Sequence, residues 1–195
     1  TSFSAVPCPA ATVTVIEPAE AGLPERLAAK EIRRYLYLRT AQLVEVVSGG
    51  DRKPSGPSIV IGCKDRPVVG AVVKGSPRLA ESVRTLQPQQ YLLRTLSSGD
   101  AKTLLIAGGD AIGTLYGSYR LAEHLGVRFY LHGDVVPDEK IDLTLPDLDE
   151  RGEALFKTRG IQPFHDFPEG PDWWNTDDYK AIIAQLPKLR MNQIG

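Results

Sequence analysis

The side chains best suited to contact a ligand lie in a loop near the end of the sequence, between residues 164 and 175. His165 and Asp166 directly follow a predicted short strand, and Trp173 and Trp174 are the only tryptophans of the chain. The C–H faces of sugar rings pack against aromatic planes, so a tryptophan pair in such a loop indicates a subsite wall for carbohydrate. Two plainer alternatives stay open. In the first, at least one tryptophan is buried and fixes the loop. In the second, His165 and Asp166 form a hydrogen-bonded pair at the surface.

The sequence contains no residue pattern typical of nucleotide binding, nucleophilic catalysis or metal binding. Glycines at 108–109 precede a helix, but the third glycine of a dinucleotide fingerprint and the lysine of a phosphate loop are missing. His124 has no adjacent Ser or Cys nucleophile with an orienting acid, and two cysteines with three histidines give no metal-ligand spacing. The acids nearest the aromatic loop, Asp166, Glu169 and Asp172, are assigned no catalytic role. We therefore predict no catalytic residue, no metal and no cofactor in this chain.

Composition restricts the class of protein. With 195 residues, 42% hydrophobic and 24% charged, the chain is typical of a soluble globular protein of one domain, or one domain and part of another. A net charge of −1 argues against nucleic-acid binding, and no apolar run is long enough to span a membrane. A disulfide between Cys8 and Cys63 would require the first strand to lie beside the strand that ends at Cys63. Two unpaired thiols are the alternative that we favour.

The best-specified element runs from Leu104 to Pro137 and predicts a β-α-β unit. A short apolar run at 104–107 forms the first strand. Asp110 follows as the N-cap of a helix, and Gly126 ends that helix as a left-handed residue. Small residues such as Gly117 lie on its apolar face, which lets the helix approach a sheet closely. Residues 127–131 then form the second strand.

The remaining pattern predicts one mixed sheet with helices packed on it. A helix runs over 24–39, and 66–86 forms short helical turns or a loop. A hairpin joins 90–96 to 103–107. The fold class is α+β, an α/β sandwich in which a small mixed β-sheet carries two long helices. The other predicted strands are 11–16, 43–47, 58–63 and, at an edge, 141–145.

The last quarter of the chain has a different character. Residues 147–153 are polar and acidic, without apolar periodicity. We therefore place a domain boundary there, with a first domain at 1–148, a linker at 149–157 and a second unit at 158–195. That unit contains a strand at 156–164, the aromatic loop, a helix that Thr176 caps and Pro187 ends or kinks, and the beginning of another strand. This order is that of an incomplete (β/α)8 barrel start.

A spaced pattern in the central unit resembles a known family. It is spelled G-x-x-x-G-x-x-Y-G-x-x-x-L-x-E-x-x-G-x-R-x-x-x-x-G, with its landmarks at Gly109, Gly117, Leu121, Glu123, Gly126, Arg128 and Gly133. It is similar to the non-catalytic N-terminal domain of α-glucuronidases and β-hexosaminidases, glycoside hydrolases in which a (β/α)8 catalytic barrel follows. The resemblance continues at Arg159-Gly160, which resembles the pair that opens the first barrel strand, and at 189–192, which resembles the approach to the second.

The resemblance implies a function. The chain would be the N-terminal portion of a glycoside hydrolase that acts on oligo- or polysaccharides, with its catalytic carboxylates on later barrel strands. Arg159 would donate hydrogen bonds to sugar hydroxyls, and a structural ion pair at the strand end is the alternative. Carbohydrate would bind through the complete barrel, and the Thr-, Ser-, Ala- and Pro-rich start suits a secreted or periplasmic protein. A stand-alone module that binds carbohydrate or a protein is the second hypothesis.

Overall fold

The structure, a computed structural model, describes residues 13–98, 101–164 and 170–195. None of the helices in these ranges is long and apolar enough to cross a membrane. In chain order the elements are β1 (Thr14–Pro18), α1 (Leu23–Thr40), β2 (Glu45–Gly49), β3 (Ser58–Cys63), α2 (Pro67–Val73), α3 (Pro77–Arg84), β4 (Tyr91–Ser98), β5 (Ala101–Gly108), α4 (Ala111–His124), β6 (Arg128–Tyr130), β7 (Gly133–Val135), β8 (Asp149–Gly152), β9 (Gly160–Ile161), a short 3-10 helix (Pro171–Trp173), α5 (Thr176–Gln185) and β10 (Gln193–Ile194).

Six strands form a mixed sheet in the order β2-β1-β3-β5-β4-β8, so the prediction of a mixed sheet is confirmed. The first four of these strands are parallel to one another, whereas β4 runs antiparallel to both β5 and β8. The predicted hairpin is β4–β5, with Tyr91 opposite Gly108 and Ser98 opposite Ala101. The strand at Ser58–Cys63 has the predicted bounds, while β1 and β2 end two residues later than predicted.

Helices cover both faces of the sheet. The long helices α1 and α4 pack on one face, in a core cluster that includes Tyr35 and Tyr119. The segment at 66–86, predicted as short helical turns or a loop, forms α2 and α3, whose valines and leucines pack on the other face. Because both faces are covered, Ile59, Val60 and Ile61 of the central strand β3 are all fully buried.

The start and the close packing of α4 agree with the sequence. Asp110 caps the helix, since its carboxylate accepts from the amide of Gly113 at 2.7 Å. Gly117 faces the sheet, where a Cβ would lie 2.7 Å from a methyl carbon of Ile106. A side chain at position 117 would therefore push α4 away from β5.

The strand that follows α4 does not join the sheet, which corrects the predicted β-α-β unit. Within the described residues, β6 pairs with β7 alone, in a two-stranded hairpin. Both sides of β5 are occupied, by β3 and β4, and β8 takes the place beyond β4. Phe129 of β6 instead packs edge-on against the rings of Tyr35 and Tyr119. The β6–β7 hairpin is thus an arm beside the sheet.

The predicted edge strand is also wrong. Residues 141–145 form no strand, and Ile141 donates its amide to the carbonyl of Arg39 at the end of α1. The edge strand is β8, inside the segment predicted as a linker. Its charged side chains find partners, with Asp149 bonded to Arg94 at 2.5 Å and Glu150 to Arg120 at 2.7 Å. Charged side chains are usual on an exposed sheet edge.

Candidate functional site

The last part of the chain folds as a strand-helix-strand unit. The strand predicted at 156–164 is shorter, Gly160–Ile161, and β10 lies parallel to it. A Cβ on Gly160 would lie 2.1 Å from the carbonyl oxygen of Gln193, so the two strands approach closely only because residue 160 is glycine. The N-cap of α5 is Asn175 and not Thr176, since Asn175 accepts from the amides of Asp177 and Asp178. The helix ends at Gln185, ahead of Pro187, as predicted.

Arg159 lies at the amino end of β9, and its guanidinium bonds to the protein itself. The Nε atom donates to the carbonyl of Arg190 at 2.6 Å, and Nη2 donates to Oε1 of Gln89 at 2.6 Å. The guanidinium carbon lies 5.9 Å from the ring centroid of Tyr116. These contacts join the strand-helix-strand unit to the sheet domain and supply a structural role. The predicted contact between Arg159 and sugar hydroxyls remains a prediction.

Lys188, in the connection between α5 and β10, forms a buried ion pair with Asp134 of the β6–β7 hairpin. Its Nζ lies 2.8 and 2.9 Å from the two carboxylate oxygens, and both side chains are less than a tenth exposed. The hydroxyl of Tyr35 donates to the same carboxylate at 2.7 Å. Burial by itself would raise the pKa of Asp134, but the bonds from Lys188 and Tyr35 hold that pKa below its ordinary value.

Arg190 forms the third connection, to Glu123 of α4. Its Nη2 donates to a carboxylate oxygen of Glu123 at 2.7 Å, and Arg120 donates to the same oxygen at 3.1 Å. Burial would raise the pKa of Glu123, yet the two guanidinium groups lower it. The Arg190 guanidinium also lies 6.0 Å from the ring centroid of Tyr91.

The three connections have two features in common. Arg159, Lys188 and Arg190 each lie near an aromatic ring of the sheet domain, 5.8 to 6.0 Å from its centroid, and each bonds to an acceptor of that domain. We call these three residues the cation clamp. All three precede a strand of the parallel pair β9–β10, so the sheet domain holds the amino ends of both strands.

The aromatic loop follows the carboxyl end of β9, and its two tryptophans differ. Trp173 ends the 3-10 helix with a side chain 72% exposed. Trp174 is half-buried, and its ring meets that of Tyr179 edge-on, with the centroids 5.3 Å apart. Trp174 and Leu131 of the hairpin together line clefts of about 390 and 320 Å³. The structure therefore gives the tryptophans different surroundings, and their part in carbohydrate binding remains a prediction.

Two predicted site residues, His165 and Asp166, lie outside the described residues. Cys8 does too, so its pairing with Cys63 remains a prediction; the Cys63 thiol donates to a carboxylate oxygen of Glu25 at 3.1 Å. Burial and the Glu25 carboxylate raise the pKa of Cys63 to about 11, which keeps the thiol protonated. Among the described residues, no group of three or more His, Cys, Asp and Glu side chains could hold a metal ion.

Sequence reasoning did not single out Glu25, although it is fully buried in the first turn of α1. The strands β2 and β3 lie on opposite sides of β1, and open α/β sheets bind ligands at the carboxyl ends of strands beside such a switch. There the Glu25 carboxylate bonds to the amides of Gly22 and Cys63 and to the guanidinium of Arg66, which makes two of the bonds.

An internal carboxylate thus uses the donors that a phosphate would need. Burial alone would raise the pKa of Glu25, but the bonds from Arg66 and the two amides lower it to about 2. The Glu25 carboxylate is therefore charged at neutral pH. The signal available in the sequence was a glutamate three residues after Gly22, at the place of a capping-box acid.

Solved structures share this fold. The 4-O-methyl-α-glucuronidase BtGH115A of family GH115, with specificity for decorated arabinogalactans, has a TM-score of 0.65 and 18% identity, over 95% of this chain and 25% of that chain. CpGH84D gives 0.60 and 11%, over 94% and 26%. A GH138 enzyme that targets pectin rhamnogalacturonan II gives 0.56 and 13%, over 93% and 18%. No protein-family model and no curated protein sequence matches the chain.

At these identities the likeness shows the fold alone. All three structures are glycoside hydrolases, so the predicted resemblance to part of a glycoside hydrolase is confirmed at the level of the fold. The chain spans about a quarter of the length of the first two structures and less of the third.

Proposed function

We propose that this chain is a non-catalytic α/β domain and the first β-α unit of the (β/α)8 barrel of a glycoside hydrolase. The enzyme would act on O-glycosidic bonds of oligo- or polysaccharides, in the manner of α-glucuronidases or β-hexosaminidases. One observation carries the proposal. Three glycoside hydrolases match more than nine-tenths of this chain, and the match takes up about a quarter or less of their own length.

The cation clamp supports the same proposal. Barrel enzymes build their sites at the carboxyl ends of the strands, where the βα loops follow. Here the contacts of Arg159, Lys188 and Arg190 lie on the segments that lead into β9 and β10. The sheet domain would therefore hold the barrel from the amino ends of its strands and leave the opposite ends for the substrate.

In this proposal the chain contributes binding groups and no catalytic acid. Glycosidases need two carboxyl groups across the scissile bond, one to protonate the leaving oxygen and one to act as nucleophile or base. Both would come from later strands of the barrel. Trp173, which is largely exposed, would serve as a wall for a sugar ring, together with His165 and Asp166 of the same loop. We also propose a secreted or periplasmic location, where polysaccharide substrates are found.

The test compares the 195-residue chain with a longer chain continued in the same reading frame beyond Gly195. Both are incubated with aryl β-N-acetylglucosaminide and with an aldobiouronic acid. We expect turnover by the longer chain alone. Turnover by the short chain that survives repurification and is lost in the Asp172→Asn variant would contradict the proposal.

A stand-alone carbohydrate-binding module is the second candidate, and the exposure of Trp173 favours it. A module of this kind should bind a soluble polysaccharide by itself, and Trp173→Ala should abolish that binding. Affinity electrophoresis of the 195-residue chain in gels with xylan, arabinogalactan or chitosan separates the two functions. A retardation that the Trp173→Ala variant loses, with no turnover by the longer chain, would favour the module.

A further inference from the structure

A cleft of about 390 Å³ lies between α5 and the turn of the β6–β7 hairpin. Asp178, Ala181, Ile182 and Gln185 line one wall, and their spacing places them on one side of α5. Residues 131–132 of the hairpin turn form the other wall, and Trp174 also lines the cleft.

The two walls are held at a fixed separation. The buried pair of Lys188 and Asp134 joins the end of α5 to β7. The amide of Gln185, in the orientation that satisfies its hydrogen bonds, donates to the carbonyl of Tyr130 at 3.2 Å and to Oδ1 of Asp134 at 3.1 Å. The cleft is therefore formed before any ligand binds, as ligand sites usually are.

The lining has the chemistry that a sugar requires. Trp174 supplies an aromatic surface and is held by its edge-on contact with Tyr179. His132, whose ring stacks on that of Tyr130 with an angle of 14° between the planes, offers a nitrogen. The carboxylate of Asp178 uses one oxygen to accept from the amide of Asn175, so its second oxygen can accept from a hydroxyl.

The charge of the cleft lining favours neutral sugars over acidic ones. Among the described residues the lining includes the acid Asp178 and the imidazole of His132, but neither lysine nor arginine. A uronic acid would place its carboxylate near Asp178 with no cation of the lining to balance it. A neutral ring meets only hydrogen-bonding groups and apolar surface.

We propose that this cleft binds one neutral pyranose residue of a glycan chain, as a site separate from the catalytic pocket of the proposed barrel. A shallow cleft that contacts one ring through stacking and a few hydrogen bonds binds weakly, because association must offset lost translational freedom. The affinity is millimolar for a monosaccharide. The site would keep a polysaccharide chain near the enzyme between catalytic events.

The two tryptophans allow a direct test. The Trp173→Phe variant leaves Trp174 as the single tryptophan emitter, and the Trp174→Phe variant leaves Trp173. Each is titrated with methyl β-glucopyranoside and with methyl β-glucuronide while the emission is recorded. We expect a saturable change with the glucoside in Trp173→Phe, at least threefold weaker binding of the glucuronide, and no saturable change in Trp174→Phe.

Two further substitutions, made in the Trp173→Phe background, locate the ligand. Ala181→Phe fills the cleft from an exposed position on the α5 wall and should weaken binding at least tenfold. Ile183→Phe, on the same helix but outside the lining, should leave binding unchanged. Asp178→Asn keeps an oxygen for the helix cap and should remove the difference between glucoside and glucuronide. Circular dichroism melting confirms that each variant is folded.

Three results would overturn the inference: no saturable response of Trp174, a response of Trp173 in its place, or equal binding by Ala181→Phe and the parent. The measurement needs no turnover. Its failure therefore leaves the proposed glycosidase function standing, and an inactive longer chain would leave the binding result standing.

Discussion

The six-stranded sheet with its helices and the strand-helix-strand unit after it differ in what they bury. In the sheet, Leu104, Leu105, Ile106 and Ala107 of β5 are fully buried in succession. In α5, by contrast, no residue is buried, and the nearest buried apolar side chain is Leu186, just after the helix. The first region has completed its core, whereas the second presents a helix with its apolar side open.

The two regions also differ in the interactions that hold them in place. In the sheet domain the burial of apolar surface, worth roughly 25 cal/mol per Å², is the main source of stability. The second unit relies on Arg159, Lys188 and Arg190. Buried ion pairs add little net stability compared with apolar packing, but they fix geometry. A clamp of this kind sets the position of the unit and leaves its own apolar surface for further packing. Among the described residues that surface includes Trp173 and Ile183, each at least half exposed.

The largest effect should come from Glu25, the buried charge inside the sheet domain. Its folded pKa is about 2, below the unfolded value near 4.3, so its stabilisation is fully present above about pH 5 and is lost as the pH falls towards 2. We expect Glu25→Gln to lower the free energy of unfolding by about 3 kcal/mol at pH 7 and to flatten its dependence on pH below 5. Urea unfolding at pH 7 and pH 3 measures both. Parallel pH curves for the two proteins would contradict this role.

The Lys188–Asp134 pair should matter to the second unit and little to the sheet. Lys188→Met leaves Asp134 with Tyr35, Gln185 and the more distant Arg34, so we expect a cost of about 2–3 kcal/mol, confined to residues 158–195. Lys180→Met is the matched control, because Lys180 pairs with Asp177 where both side chains are more than two-thirds exposed, and it should cost less than about 0.5 kcal/mol. The emission of Trp174 against urea reports on the unit. Equal shifts in the two variants would show that the pair is not buried in solution.

Two glycines in helices allow a comparison between a helix face that packs on the sheet and a helix position with open space around it. Gly117 meets β5, whereas a Cβ on Gly70 of α2 would have no atom within 4 Å. We expect Gly117→Ala to cost about 1 kcal/mol through overpacking, and Gly70→Ala to stabilise by about 0.5–1 kcal/mol through helix propensity. Thermal melting of both variants measures this. A stabilised Gly117→Ala would mean that α4 does not approach the sheet closely.

The smallest effect concerns where the chain is cut between the regions. Because β8 is paired with β4, we expect limited chymotrypsin digestion to cut after Leu155 or Phe156, which are 88% and 66% exposed, and not within β8. A chain that ends at Glu153 should then melt cooperatively, and one that ends at Leu148 should melt earlier because the sheet loses an edge strand. Cutting inside β8 would instead support the predicted linker at 149–157.

The sequence could predict what local patterns decide. The bounds of β3, the cap at Asp110 and the β4–β5 hairpin depend on residues near one another in the chain, and all three are confirmed. The pairing of β6 and of β8 depends on which sheet positions are already taken, and no local pattern carries that information. The second strand of the predicted β-α-β unit is present as β6, but its place in the sheet was wrong for this reason, and so was the predicted edge strand.

The contacts of the candidate site depend even more on residues that are distant from one another in the sequence. The sequence could indicate that Arg159 carries donors, but Gln89, its acceptor, lies 70 residues away. Likewise Glu25 reaches Cys63 and Arg66 only after β1 and β3 have paired. Two of the predicted site residues, His165 and Asp166, lie outside the described residues, so their roles stay predictions.

Native-state hydrogen exchange tests the central claim, that the sheet domain is complete by itself and the second unit is held on it by a clamp. In the 195-residue chain, amides of β3 and β5 should exchange only through global unfolding, whereas those of α5 should exchange through a smaller opening that Lys188→Met makes easier. In a chain continued through the barrel, the protection of α5 should rise towards that of the sheet. Equal protection of α5 and β5 in the 195-residue chain, unchanged by Lys188→Met, would contradict the account.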